Sequence, residues 1–451
     1  MDAVWDAVLP EGVARAQGPP TAPPVDYEDG FVLPAHTDKP LKALHPHPLD
    51  ARLYFFEEPH VYTFDGVPTS ASVTALAHEY EKPFCAADAV AGMKTARSQA
   101  WPRAEYVEDL RPLDDAYAAA RGVLLVRGGK TVATLPPYAL EVGTTTASAL
   151  AVLRASAVRG AGGDVDDDEL FTYTRGLEAD EIDALWKRKG RIASHRGTDA
   201  HWLAECFFNG LPVRWWEEEM RLVVEFARTS MIPHGLLAHS TEKEIVCADA
   251  DLAGSIDLLA VDPATGVIHI IDHKRSDKLR ATMRGYSKMA PPFSHLDDCK
   301  GAAYALQTSI YQYVLERDYG MVVGDRVLLS LHPDAPFATS VPYLKDEVSY
   351  LMERRMAVVR ARRAVADAEP ERFRCALTGA PATDAVRLDD GRIAMEKAAQ
   401  VADPPVHFAP DKVLRAAFEA AVAEHATLPS PPTALLSWRR RMPEGGVVPF
   451  A

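Results

Sequence analysis

Long apolar runs are missing: nowhere does this chain of 451 residues sustain the roughly 18 consecutive hydrophobic residues of a membrane span, which argues against a membrane role. Paired cysteines are missing too. Cys85, Cys206, Cys247, Cys299 and Cys375 are odd in number, scattered, and free of CxxC or CxxxC spacing. That pattern argues against a disulfide framework, a zinc knuckle and an iron–sulfur cluster, and fits a reducing compartment. The opening stretch MDAVWDAVLPEGVARAQ carries acidic residues and has no basic region followed by an apolar one. It resembles neither a secretory signal nor a transit peptide, so the expected location is intracellular. Positive charge is in short supply: 49 Lys and Arg stand against 64 Asp and Glu, a formal net charge of -15. Nonspecific adhesion to a polyanion is thereby disfavoured, and any nucleic-acid surface has to be local.

What is present is the composition of a globular enzyme-sized protein, 47% hydrophobic and 25% charged, long enough for two or three domains or for one core with large insertions. Residues 1–48 are Pro-rich (QGPPTAPP, HPHPLD) and lack periodicity, so they are expected to be mostly disordered. Order is expected to begin at 53–80, with two β-rich runs, a turn at Asp65-Gly66 and a helix entered through Ser72-Val73-Thr74. Residues 107–169 read as an insertion, with a hairpin turning at Gly128-Gly129 and a loop at RGAGGDVDDDE. From Leu170 onward helices alternate with strands as far as a long helix at 344–368, which places the chain in the α/β (α+β) class. Residues 49–368 are therefore taken as one domain, and 369–451 as a small C-terminal unit.

The segment AGSIDLLAVDPATGVIHIIDHKRS (253–276) is apolar but carries Asp257, Asp272 and Lys274. Asp262-Pro263-Ala264-Thr265-Gly266 is a turn signal, so the segment reads as a β-hairpin. Alternation puts Ile268, Ile270, Asp272 and Lys274 on one face of the second strand and His269, Ile271 and His273 on the other. The hairpin brings Asp257 near Asp272. Two buried carboxylates side by side are costly as anions unless a cation joins them, and hard oxygen ligands suit magnesium or manganese. The plainer alternative is an ion pair at a strand end.

Two helical patterns stand beside the hairpin. RGTDAHWLAECFFNG (196–210) places His201 and Glu205 at i and i+4, with Thr198 as an N-cap and Asn209-Gly210 as a stop. KGAAYALQTSIYQYVLERDYG (300–320) carries an apolar stripe of Leu306, Ile310 and Val314, with Gln307 and Tyr311 one turn apart beside it.

In the order GTDAH, AGSID, IIDHK, QTSIY, with HVYTFDGVPTSASVTAL before them, the chain resembles the RecB-like branch of the PD-(D/E)xK nuclease superfamily. It is most similar to exonucleases of the mitochondrial genome maintenance type and to nucleases of large DNA viruses and phages. The resemblance covers 53–106 and 170–335 and implies a restriction-endonuclease-like core, a central mixed sheet flanked by helices. It further implies His201, Asp257 and Asp272 as metal ligands together with the backbone carbonyl of His273, and Lys274 as the catalytic lysine. Gln307 and Tyr311 match the helix that helps hold substrate and lysine. Glu242 matches a frequent acidic position before the first hairpin strand and is grouped on the substrate side. The implied cofactor is Mg2+ or Mn2+ without an iron–sulfur cluster, and the implied activity is hydrolysis of phosphodiester bonds, acting from ends on single-stranded DNA in replication, repair or recombination.

The basic stretches 186–197 and 274–288 answer the charge objection. Arg275 and Lys278 are expected along the phosphate backbone, with aromatic residues such as Trp202 or Tyr286 against bases. Residues 375–399 are faintly similar to the start of a U-box, which implies a protein-interaction module; a plain hairpin with an Asp-Gly turn is the simpler alternative. A flap or structure-specific endonuclease, an RNA-processing nuclease and a non-catalytic nucleic-acid-binding subunit remain rival readings.

Overall fold

The computed structural model describes residues 2–13, 27, 39–96, 103–109, 123–127, 130–135, 172–214, 217–433 and 435–442, and the statements below concern these. In chain order come α1 (Asp2–Val8), α2 (Pro40–Leu44), β1 (Leu53–Phe56), β2 (Val61–Phe64), β3 (Val67–Pro68), β4 (Ala71–Ser72), α3 (Val73–Ala77) and α4 (Ala86–Thr95). Strands β5 (Val107–Asp109), β6 (Val123–Arg127), β7 (Lys130–Leu135) and β8 (Thr172–Gly176) follow, then α5 (Ala179–Phe208) and α6 (Glu218–Phe226). Next are β9 (Leu237–Cys247), β10 (Leu252–Val261), β11 (Ile268–Lys274), α7 (Lys300–Asp318), β12 (Val323–Ser330), β13 (Phe337–Ser340) and α8 (Lys345–Ala368). The C-terminal elements are α9 (Pro370–Phe373), β14 (Ala385–Leu388), β15 (Ile393–Met395), α10 (Glu396–Gln400), β16 (Phe408–Pro410), α11 (Lys412–His425) and α12 (Trp438–Arg441).

The chain forms two compact units, Met1–Lys82 with Ala193–Ala451, and Pro83–Ile192. The second unit holds a four-stranded antiparallel sheet in the order β5-β8-β6-β7 and a small core around Val90, Tyr106 and Ile182. Strands β6 and β7 pair as expected of a hairpin; the two glycines of its turn and the loop at 159–169 lie outside the described residues.

The first unit is built on a six-stranded mixed sheet, order β13-β12-β11-β10-β4, with β9 also paired to β10. Strand β9 runs antiparallel along the whole of one edge of β10, from Leu252↔Cys247 to Val261↔Leu237. The other edge is divided: β4 pairs with Leu252 and Ala253, and β11 with Leu258 to Val261. Between these partners β10 is left open at 254–257, and the sheet forks there.

Alternation along the strands sorts the core into two layers. Ile268 and Ile270 of β11 and Leu328 of β12 pack with Ala302, Leu306 and Ile310 of α7. Ile271, Val327 and Leu329 pack instead with Ala200, Leu203, Phe207 and Phe208 of α5. The sheet is therefore covered on both faces, which explains why its strands read as nearly continuous apolar runs. Helix α7 is itself covered by Val348, Leu351 and Met352 of α8, so it is buried well beyond the Leu306, Ile310, Val314 stripe.

Several local signals act as the sequence led one to expect. Asp65 and Gly66 both take positive φ, 51° and 76°, in the tight turn from β2 to β3. Ser72 caps α3, its side chain accepting from the Ala75 amide at 3.1 Å. Gly266 N donates to Asp262 O at 2.8 Å in the hairpin turn. Thr198 is different: it is an interior residue of α5, which begins at Ala179, and its hydroxyl donates back to Ser194 O at 3.1 Å. That i to i−4 bond satisfies a hydroxyl inside a helix as well as at its start, so the residue type alone misplaces the N-terminus. The stop at Asn209-Gly210 is as read, with Gly210 at φ 70°.

In the Pro-rich N-terminal stretch, expected to be mostly disordered, α1 inserts Val4, Trp5 and Val8 into the α5 core, and Trp5 Nε1 donates to Phe207 O at 2.7 Å. A single tryptophan buries enough apolar area to hold so short a helix, which periodicity does not register. At the other end, β15-β14-β16 form an antiparallel sheet whose core includes Ala361, Val365 and Ala366 of α8. The C-terminal elements thus share a helix with the main sheet. No helix among the described residues is long and apolar enough to cross a membrane.

Candidate metal centre

The fork in the sheet is where the charged side chains meet. Asp257 is the last residue of β10 before its pairing with β11 begins, and its Oδ2 accepts the backbone amide of His273 at 2.5 Å. A carboxylate therefore closes the gap where a ladder bond would otherwise run. Opposite it on β9, between the pairs Ile256↔Lys243 and Leu258↔Thr241, Glu242 is held at φ 40°. Left-handed backbone is strained for a glutamate, and the distortion turns its side chain to Ser255, whose hydroxyl donates to Glu242 Oε2 at 3.0 Å.

Helix α5 brings His201 to the same place. Its Nδ1 lies 3.5 Å from Asp257 Oδ1 and 3.9 Å from Glu242 Oε1. One ligand atom from each of His201, Glu242 and Asp257 falls within 4.8 Å of the others. The His273 ring, buried on the α5 side of the sheet, stands edge-on to His201 at 5.7 Å between centroids. Alternation correctly sends this ring away from Asp272, yet that direction makes it a wall of the site, whereas His269 is engaged with Asp325 elsewhere.

On the α7 side, buried Asp272 lies 2.7 Å from Lys274 Nζ. Gln307 and Tyr311 are both buried; Gln307 Nε2 donates to the Tyr311 hydroxyl at 2.9 Å and to Thr74 Oγ1 at 3.3 Å, tying α7 to α3. The side chain seated on the lysine is Tyr304, one turn earlier, whose ring centroid is 4.8 Å from Lys274 Nζ. Spacing on α7 carried this information, since 304, 307 and 311 share a face, but a tyrosine has no metal-ligand or acid–base signature to single it out. Gly254 explains the small residue of the AGSID motif: a Cβ there would meet Val73 Cγ2 at 2.9 Å and Tyr311 Cε1 at 3.2 Å.

The electrostatics are those of crowded anions. Burial and the neighbouring Asp257 push Glu242 up to about 8. Burial also lifts Asp272 to about 6, and Asp257 adds to this against the pull of Lys274. Burial alone would raise Asp257 as well, but His201, Lys274 and the His273 amide bring it below the usual carboxylate range. Lys274 is pulled down by burial and carried up further by Asp272 and Asp257, so it stays an ammonium. Burial depresses the His273 ring to about 4, leaving it neutral. His201, Glu242 and Asp257 bring one imidazole and two carboxylates close enough together that they could hold a hard divalent cation, whose charge would offset the repulsion that raises Glu242 and, beside the group, Asp272.

The remaining expected residues are placed differently. Arg275 Nε donates to Glu219 Oε1 of α6 at 2.9 Å, and Lys278 is exposed on the segment that follows β11. Trp202 is buried in the α5 core and has no face for a base. Its position in an interior turn of a long helix, one residue from His201, points it into the sheet. Comparisons of the chain with known protein families, with curated proteins and with solved structures find no match.

Proposed function

We propose that this chain is a metal-dependent deoxyribonuclease with a PD-(D/E)xK, RecB-like core, hydrolysing phosphodiester bonds from the ends of single-stranded DNA. One observation carries the proposal: His201, Asp257, Asp272 and Lys274, drawn from one helix and two strands, converge at the fork of a mixed sheet sandwiched between helices. Charged groups at such depth cost several kcal/mol each in an ordinary core, roughly, and are retained where they have chemistry to perform.

Asp257, Asp272 and His201 would hold a divalent magnesium or manganese ion, with Glu242 beside them and the His273 carbonyl as a further oxygen donor. Such an ion supplies Lewis acidity and a water of lowered pKa. The chain's own groups do the rest. Lys274, kept cationic between Asp272 and the Tyr304 ring, offsets charge that builds on the phosphate oxygens. Asp257 fixes the hairpin geometry through the His273 amide, so the acids and the lysine keep their spacing.

The test is incubation of linear and circular single strands with the full-length protein and magnesium. Degradation of the linear strand alone, stopped by a chelator, is the expected outcome. Cutting of circles would replace the exonuclease with an endonuclease. Equal degradation with and without the chelator would remove the metal mechanism.

A further inference from the structure

We propose that residues 276–298, the segment between β11 and α7, form a single-strand platform on which Tyr286 stacks against a nucleobase while flanking cations follow the phosphate backbone. The proposal rests on the nuclease reading of the adjacent fork for its substrate class and adds where that substrate is gripped.

Tyr286 is fully exposed, more so than any other large apolar side chain among the described residues. A bare aromatic ring on a surface is unusual, and it marks a contact when its backing is rigid. Here the backing is rigid. The Gly285 amide donates to the buried Asp297 Oδ2 at 3.2 Å, and a Cβ at Gly285 would stand 2.7 Å from the Asp298 carbonyl oxygen, so the backbones touch directly behind the tyrosine. Asp298 N donates to Ser287 O at 2.9 Å, and Met289 N to Leu296 O at 3.2 Å, closing a ribbon.

The C-terminal helix α12 clamps this ribbon. Trp438 is wholly buried; its Nε1 donates to Met283 O at 2.7 Å and its amide to His295 O at 3.2 Å. Arg441, 2.8 Å from the buried Glu347, fixes the helix from the other side. That seating delivers Arg439 to the ribbon, with its Nη2 3.5 Å from Gly285 O.

Charge then decides the partner. Lys278, Arg280, Arg284 and Lys288 are exposed along the segment, joined by Arg439. Asp297 pairs with two of them, 2.5 Å from Lys288 Nζ and 3.6 Å from Arg439 Nε, and Asp277 and Asp298 lie on the same segment, so five cations stand against three acids. In a chain of net charge -15 this is a local reversal of sign, suited to a polyanion. The segment leaves the sheet at Lys274, where Leu331 N donates to Lys274 O at 2.9 Å and Ser330 Oγ to Ser276 O at 3.1 Å, and it ends at α7, which carries Tyr304. A strand held on it is thereby led to the fork. A ring with an open face needs a base with an open face, which single strands offer and duplexes do not.

Equilibrium binding of the full-length protein, with a chelator and no metal, to an oligothymidylate and to an abasic strand of the same length tests the platform without turnover. Tyr286→Ala is expected to weaken binding to the oligothymidylate about tenfold and to leave the abasic strand unaffected, and Tyr286→Trp to restore the loss. Unchanged binding of the oligothymidylate by Tyr286→Ala, or an equal loss on both strands, would overturn it. Because nothing is cleaved in this measurement, its failure leaves the nuclease reading standing, and failure of that reading leaves a stacking result intact.

Discussion

His201 Nδ1 stands 3.5 Å from Asp257 Oδ1, joining the helix on one face of the sheet to the strand at which the sheet forks. Together with Glu242 they form a group that could hold a cation. The consequences of that placement are measurable.

The first concerns pH. A carboxyl whose folded pKa lies above its unfolded value binds more protons in the folded state, so its contribution to stability falls as pH rises. Glu242, pushed from 4.5 up to about 8, therefore destabilises the metal-free protein progressively across that window. Glu242→Gln should raise the melting temperature of the metal-free protein at the upper end of that window and reduce the stabilisation by added Mn2+. For the unaltered chain, Mn2+ affinity by calorimetry should tighten with pH through about 6 and about 8 as Asp272 and Glu242 give up their protons. A flat profile would remove the acidic cluster as ligands.

Tyr304 should matter through its ring and not its hydroxyl. An ammonium over an aromatic face is worth about 0.5–2 kcal/mol. Tyr304→Phe should keep the turnover rate on single-stranded DNA, while Tyr304→Leu should lower it roughly two- to thirtyfold at unchanged KM. Loss in both variants would point to the hydroxyl.

Gly254→Ala should be an overpacking mutation. The added methyl meets Val73 Cβ at 3.0 Å and Cγ2 at 2.9 Å, and a crowded core of this kind costs about 1–3 kcal/mol, read as a lower urea midpoint. Val73→Ala in the same chain should recover part of the loss, because it removes Cγ2, the nearest of these atoms, while Cβ stays.

Glu347 anchors the C-terminal helix under acid stress. Burial works against its charge, but His295 at 2.8 Å and Arg441 at 2.8 Å overcome this and hold it below the usual glutamate range. A depressed carboxylate contributes stability above its unfolded pKa and loses it as pH falls through the folded value. Glu347→Gln should therefore lower the melting temperature at neutral pH and flatten its decline on acidification. An unchanged acid profile would mean that the ion pairs carry no stability.

Much of the site is legible in the chain because local signals and the fold agree there. The Asp262 to Gly266 turn fixes the hairpin register, and strict alternation then puts Asp272 with Lys274 and apart from His273. Other features depend on tertiary contacts that no local pattern encodes. Glu242 takes a positive φ within the β9–β10 ladder, and it lies in the His201 and Asp257 cluster, whereas the sequence groups it on the substrate side. Arg275 is drawn to Glu219 across the fold, and Trp202 is turned inward by the same helix that presents His201. The buried Trp438 is the clearest case: a short helix after a Pro-rich stretch carries no periodicity, yet one indole ring fastens it to the segment beside the site. The β16 strand and the shared α8 core escape for the same reason, since edge strands of three residues are too short to register.

The most direct measurement is the rate of magnesium-dependent degradation of a linear single strand by the unaltered chain and by Asp272→Asn and Lys274→Ala, with folding monitored by circular dichroism. The predicted result is a fall of about 100-fold or more in each variant at unchanged spectra. Degradation at the unaltered rate by either folded variant would contradict the assignment of the fork as the centre that cuts.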